Sequence, residues 1–301
     1  MVDRVATYSQ SGALIKELMR LQSEFSTGTL QQASGVISDT YDGIGSDTQR
    51  LLNLESEYSE VSSQSENAQV ALDRVNMMYS RTGAMLDLLT DGLTNITGSL
   101  GGVNVDPSFL TAKLEQGVEE FSALLNAQLN GTYLFAGGAA TPPSDINDPD
   151  YNLAVDAVTV DTAYYQGSDY ITQVQASSDL VIEYGITADS SGFEKALRAY
   201  HLALSNPGDQ TTLQDAYNLM REGFEEINTS QTILSGQATT LDDQIDENTE
   251  TLNLLDNMIG DIKNADLAEI TVKLAELEIQ LEASYSIATK LLQLNLYDYL
   301  K

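Results

Sequence analysis

The chain has 301 residues, 45 of them acidic and 14 basic, for a formal net charge of −31 at pH 7. Such a polyanion is repelled by phosphate backbones and anionic lipid surfaces, so neither nucleic acid nor membrane insertion is expected. Cysteine is absent, which excludes disulfides, thiolate metal sites and cysteine nucleophiles.

At the N-terminus, Met1-Val-Asp-Arg-Val-Ala-Thr7 lacks the apolar core of a secretory signal. Leu14, Leu18, Leu21 and Phe25 then predict a short amphipathic helix. A Gly- and Asp-rich segment follows, from Gln32-Ala-Ser34-Gly35 through Asp39 to Tyr41-Asp42-Gly43-Ile-Gly45. From Leu51, steps of three and four residues pass through Leu54, Tyr58, Val61, Ser65, Ala68, Leu72, Val75, Tyr79, Thr82, Leu86, Leu89, Leu93 and Ile96. That sustained 3.5-residue period predicts a long helix with one packing seam. Gly98, Gly101, Gly102 and Pro107 end it. Leu110, Leu114, Val118, Phe121, Leu125 and Leu129 predict a returning helix.

Between Gly131 and Gly192 the period changes. Asn130-Gly131 marks a turn, Thr132-Tyr-Leu-Phe-Ala136 reads as a strand, and Thr141-Pro142-Pro143 to Asp150 reads as a loop. Further strands are expected at 155–160, 164–165, 170–174 and 180–184. Helical spacing resumes at Phe193, Leu197, Tyr200 and Leu204, and Pro207-Gly208 interrupts it. A second long register runs from Leu213 to Ile262, with Gln231 and Asn248 as polar seam positions suited to fixing the pairing. Leu267, Ile270, Leu274, Leu277 and Leu281 continue it toward the C-terminus.

The expected fold is mainly α: an elongated antiparallel coiled-coil-like bundle with a small projecting β-rich insertion. Five segments are expected: an N-terminal helix and loop over 1–48, rod helices over 49–130, the β-rich part over 131–192, a return helix and long rod helix over 193–262, and a C-terminal assembly helix over 263–301.

Little here suggests catalysis. His201 is the single histidine and has no second imidazole to share a metal or a triad, so it is read as structural. Asp145 to Asp150 lacks the central glycine and terminal glutamate of a calcium loop and is read as a solvated turn. Carboxylate pairs such as Glu119-Glu120 and Asp242-Asp243 sit on helices as solvent faces. Met77, Met78 and Met85 read as core, and the glycines lack phosphate-loop spacing. No enzyme activity, cofactor or metal is expected.

Three motifs carry a resemblance to the flagellin superfamily, closest to its hook–filament junction members. The first is Ser34-Gly35 with the Asp/Gly-rich segment after it, with Ser26-Thr27-Gly28 as a second candidate for that turn. The second is the cluster Gly131, Tyr133, Phe135, Gly137 and Gly138, with Tyr165 and Gly167. The third is Leu281-Glu-Ala-Ser-Tyr285 followed by Leu294-Asn-Leu-Tyr-Asp-Tyr-Leu300. Tyr41-Asp42-Gly43 departs from the Asp-Asp-Pro that such proteins commonly have after the Ser-Gly turn.

The resemblance implies a structural part of the bacterial flagellum. It implies export without a cleaved signal through the type III channel and an extracellular location. Its implied partners are further copies of itself, hook-associated protein 1, flagellin and an export chaperone. The assembly residues would be Leu14, Leu18, Leu21, Phe25, Leu281, Tyr285, Leu291, Leu292, Leu294, Leu296 and Leu300, in ends that order on polymerisation. The alternatives are a filament-forming flagellin and, further off, a secreted coiled-coil adhesin or effector.

Overall fold

The computed structural model describes residues 2–101, 106–148, 151 and 156–299, with the side chains of 2–11 and 291–299 outside that description. Six α-helices and four short strands follow in order: α1 (Val2–Ser34), α2 (Thr48–Leu100), α3 (Pro107–Leu125), β1 (Gln128–Leu129), β2 (Thr132–Tyr133), β3 (Thr172–Ser177), β4 (Leu180–Tyr184), α4 (Ser191–Ser205), α5 (Gln210–Lys263) and α6 (Leu267–Tyr299). Long packed helices with a small strand insertion are the predicted architecture.

The helix limits follow from local chemistry. α1 ends at Ser34 because Gly35 adopts φ +75°, a conformation that favours glycine. Ser26-Thr27-Gly28 lies inside α1, so the turn is at Gly35. Asp106 caps α3, its Oδ1 accepting from the Ser108 amide at 2.9 Å, with Pro107 in the first turn. Asp209 caps α5 and Asp266 caps α6, accepting from the amides of Thr212 and Ala268 at 2.8 and 2.9 Å. α3 is shorter than its apolar spacing suggests. The Asn126 side chain turns away to bond both the N–H and the C=O of Ser144, at 2.9 and 2.7 Å, and the chain then enters β1.

The chain divides into two compact units, Met1–Ser59 with Asn253–Lys301, and Glu60–Leu252. In the second unit, α2, α3, α4, α5 and the strands share one core. Phe121, Phe135, Phe193 and Tyr200 form its aromatic centre, with ring centroids 5.8–6.5 Å apart in three edge-on or tilted pairs. The α5 seam is well legible, since every register position from Leu213 to Ile262 is buried or half-buried. Both polar seam positions bond across elements: Gln231 Nε2 donates to Tyr79 O of α2 at 3.3 Å, and Asn248 Nδ2 to Ala176 O of β3 at 2.9 Å.

The strands are two separate antiparallel pairs, β1–β2 and β3–β4. β4 occupies 180–184 as predicted, and β3 lies slightly beyond the expected 170–174. The expected strand at 155–160 is not one: residues 156–158 form a bend in which Asp156 Oδ1 accepts from the Val158 and Thr159 amides. Tyr165 makes a single bridge with Ser144.

In the first unit, α1 and α6 pair antiparallel, as the contacts Gln22–Tyr285, Gly28–Leu274 and Gln32–Thr271 run in opposite senses along the two helices. Their connectors are zipped together: Ile37 N donates to Lys263 O at 2.7 Å and Ala265 N to Gly35 O at 2.9 Å.

Candidate assembly surface

The tail helices are built on a narrow internal seam. Leu14, Leu18, Leu21, Phe25 and Gly28 recur every three or four residues, and the added Cβ of an alanine at Gly28 would meet Leu274 Cδ2 at 2.9 Å. Ile270, Leu274, Leu277 and Leu281 form the matching stripe of α6. Leu21 and Leu277 are fully enclosed, and the other apolar members are half-buried. The predicted assembly residues Leu14, Leu18, Leu21, Phe25 and Leu281 therefore face the intramolecular seam. Tyr285 is exposed at its edge, its Oη accepting from Gln22 Nε2 at 2.6 Å. The side chains of Leu291, Leu292, Leu294 and Leu296 lie outside the described residues, as does Leu300 entirely.

Among the described residues the two terminal helices are paired, and each also leaves apolar side chains outside that pairing. Sequence reasoning missed those side chains. On α6, Val272, Ile279 and Ile287 are 62%, 67% and 50% exposed. At 100° per residue they lie on a stripe with Ala268, Ala275 and Ala283, roughly 150° from the internal seam. On α1, Ile15, Met19 and Leu30 are likewise exposed, and fall within about 60° of one another. α6 is thus apolar on two opposite sides, and among the described residues of the first unit nothing covers the second. The signal was present as the 4-3-4-4-4 spacing from Ala268 to Ile287, masked by the stronger leucine register beside it.

The glycine–aromatic motif serves the scaffold. Asn130 and Gly131 have φ of 51° and 78°, the paired positive values of a tight hairpin turn between β1 and β2. Arg74 of α2 donates to the carbonyls of Tyr133 and Leu134 at 2.8 and 3.1 Å. Phe135 is buried against Phe193, and its carbonyl accepts from Ala188 N at 2.9 Å. Gly137, at φ +60°, lies so close to Ser168 O that a Cβ would sit 1.7 Å from it. Gly138 also has positive φ, at +84°. Tyr165 Oη donates to Ser168 O at 2.7 Å, and burial pushes that phenol up to about 12. Its ring occupies the space where a Gly167 side chain would go.

Among the described residues, no three histidine, aspartate or glutamate side chains gather where they could hold a metal. His201 is packed edge-on to Tyr151 at 5.6 Å, and desolvation lowers its pKa to about 4, so it is neutral at pH 7. In the acidic loop, Asp145 caps the Asn147 amide and Asp148 accepts from Gln166, an ordinary turn.

No protein-family model matches the sequence, and no curated protein is significantly similar to it. Solved structures do match. A Vibrio parahaemolyticus protein assigned to the flagellar hook-associated class superposes with a TM-score of 0.62 at 17% identity, over 72% of this chain and 97% of that one. Bacillus cereus FlgL superposes with a TM-score of 0.54 at 15% identity, over 70% of this chain and 98% of that one. The likeness that the three sequence motifs suggested is met at the level of architecture: the chain has the fold of these two flagellar proteins.

Proposed function

We propose that the chain is a structural component of the bacterial flagellum, the adaptor between hook and filament, and not an enzyme. The observation that carries this reading is the apolar stripe of α6, Val272, Ile279 and Ile287, which among the described residues lies 50–67% exposed on the side away from α1. Covering apolar area yields roughly 25 cal/mol per Å². A stripe repeated from Ala268 to Ile287 suits a partner helix, as in a filament in which many copies meet. The fold shared with hook-associated proteins supports the flagellar setting.

In this reading the chain leaves the cell by type III export, held beforehand by a chaperone. It then assembles outside with further copies of itself, on hook-associated protein 1 and beneath flagellin. Deleting its gene in the native flagellated host tests the proposal by electron microscopy. Hooks without filaments, with monomeric flagellin in the medium, are expected. Normal filaments would overturn the adaptor role, and long filaments grown from the purified protein alone would reassign it as a flagellin.

A further inference from the structure

A groove on the second compact unit, unrelated to the tail helices, has the chemistry of a docking site. It opens between α2 and α3, where Ala84, Leu88, Ala123 and Leu124 form an apolar floor around a volume of about 490 Å³. A second recess of about 250 Å³ continues it along Gly92, Asn95, Lys113 and Gly117, sharing Leu88, Asp91 and Glu120.

The groove owes its floor to two glycines. A Cβ at Gly117 would lie 2.5 Å from Tyr200 Cε1, and one at Gly92 would lie 3.1 Å from Tyr200 Oη. Tyr200 can therefore lie under the groove between the two helices, its hydroxyl donating to Leu88 O at 3.0 Å. Asp87, Asp91 and Glu120 stand on the rim. Asp87 and Asp91 are one helical turn apart on α2, and Glu120 faces them from α3. Among the described residues none of the three is in an ion pair; Glu120 accepts only from Gln116 Nε2, at 2.7 Å. Lys113, at the far end, is the one cation lining either recess.

We infer that this groove docks a helical segment of a partner protein that is apolar on one side and carries Lys or Arg beside it. Charge complementarity selects that occupant. Apolar side chains of the segment would cover Leu88 and Leu124 while its cations meet three carboxylates that, among the described residues, have no cationic partner. A second copy is disfavoured, because it would bring another net charge of −31 to an acidic rim. The inference does not rest on the flagellar reading.

The test uses the full chain and a fluorescein-labelled amphipathic helical peptide of leucine, alanine and lysine, with a glutamate-for-lysine peptide as control. Binding is read by fluorescence anisotropy at physiological salt. The triple variant Asp87→Asn/Asp91→Asn/Glu120→Gln should weaken binding by about tenfold or more, the scale of losing several close charge pairs. Neutralising Asp242, Asp243 and Asp246 on α5 instead should cost less than about twofold, as screened distant charges do. Ala84→Trp and, separately, Ala123→Trp should block the floor without altering charge.

Equal losses from the α2/α3 and α5 variants would reduce the effect to nonspecific attraction and overturn the inference. So would undiminished binding by both folded tryptophan variants. Concentration-dependent dimerisation, seen by sedimentation and abolished by Ala84→Trp, would assign the groove to a second copy and overturn the heterologous partner.

Discussion

Lys263, the last residue of α5, donates from Nζ to Glu55 Oε1 of α2 at 3.0 Å, and Tyr41 of the connector donates to the other oxygen, Oε2, at 2.7 Å. One carboxylate thus ties three segments of the first unit where α1 and α6 join the long helices. The two hydrogen bonds hold Glu55 below the usual carboxylate range, and the hydrogen bond that Tyr41 gives it, with its charge, holds the Tyr41 phenol above its own. Lys263→Met should speed amide hydrogen exchange over residues 35–47, with a loss of under about 1 kcal/mol because the pair is partly solvated. Glu55 has a folded pKa below its unfolded one. Its contribution is therefore present above the ordinary carboxylate range and is lost as pH falls through the folded value. The difference between wild type and variant should vanish in acid; a constant difference would mean that charge is not its source.

Glu194 and Arg198 are a buried pair on one face of α4, joined at 2.9 Å. They also hold the bend at 156–161: Arg198 Nη1 donates to Ala157 O at 2.6 Å, and Asp161 N donates to Glu194 Oε1 at 3.2 Å. Arg198→Met strands a carboxylate in the core and should cost about 3–5 kcal/mol in chemical denaturation. The double variant Glu194→Leu/Arg198→Met should lose less than that single change. A double variant as unstable as the single would show that the loss comes from the bend rather than from an unpaired charge.

The long helices were legible because their spacing is uninterrupted over many turns and proline-free, so Leu213 to Ile262 reads directly as a seam and Leu51 to Ile96 does so except at Tyr58 and Tyr79, which are exposed. The β insertion was less so. Its residues are fixed by single contacts, such as Asn126 to Ser144 and Asp156 to Val158, which leave no period in the sequence. Val158 and Val160 alternate like a strand, yet Asp156 bends the chain before any partner strand can pair with it. The inward position of Leu14, Leu18, Leu21 and Leu281 was hidden for a different reason: a heptad stripe says that a helix packs, not whether its partner is in the same chain.

Two glycines should respond oppositely to alanine. Gly137 combines φ +60° with a backbone carbonyl in the way, so Gly137→Ala should cost several kcal/mol or prevent folding. Gly236, in the exposed middle of α5, has nothing within 4 Å of a new Cβ, so Gly236→Ala should stabilise by about 0.5–1 kcal/mol. Thermal melts of the two proteins measure both, and destabilisation by Gly236→Ala would show that the open site is occupied.

His201 makes the second unit sensitive to mild acid. Desolvation holds its folded pKa at about 4, below the unfolded value, so the unfolded chain takes up a proton first as pH falls. The neutral histidine then costs stability between the two values, up to about 3 kcal/mol by linkage. His201→Phe keeps an aromatic ring against Tyr151 and removes the titration. Its melting temperature should fall less than that of the wild type from neutral pH to pH ~4. Parallel curves would mean that the carboxylates alone govern the acid response.

The two apolar sides of α6 should separate folding from assembly. Leu277 lies in the internal seam, so Leu277→Ala should cost about 2 kcal/mol and speed exchange in α1 as well as α6. Val272 and Ile279 face outward, so Val272→Glu and Ile279→Glu should change monomer stability by no more than about 0.5 kcal/mol. If the outer face is the assembly surface, those two variants should nonetheless fail to restore filaments in a deletion strain, while reaching the medium in normal amounts. Full restoration by both would leave the uncovered face of α6 without a role in assembly. Failure of Leu277→Ala alone would place the requirement on the integrity of the hairpin instead.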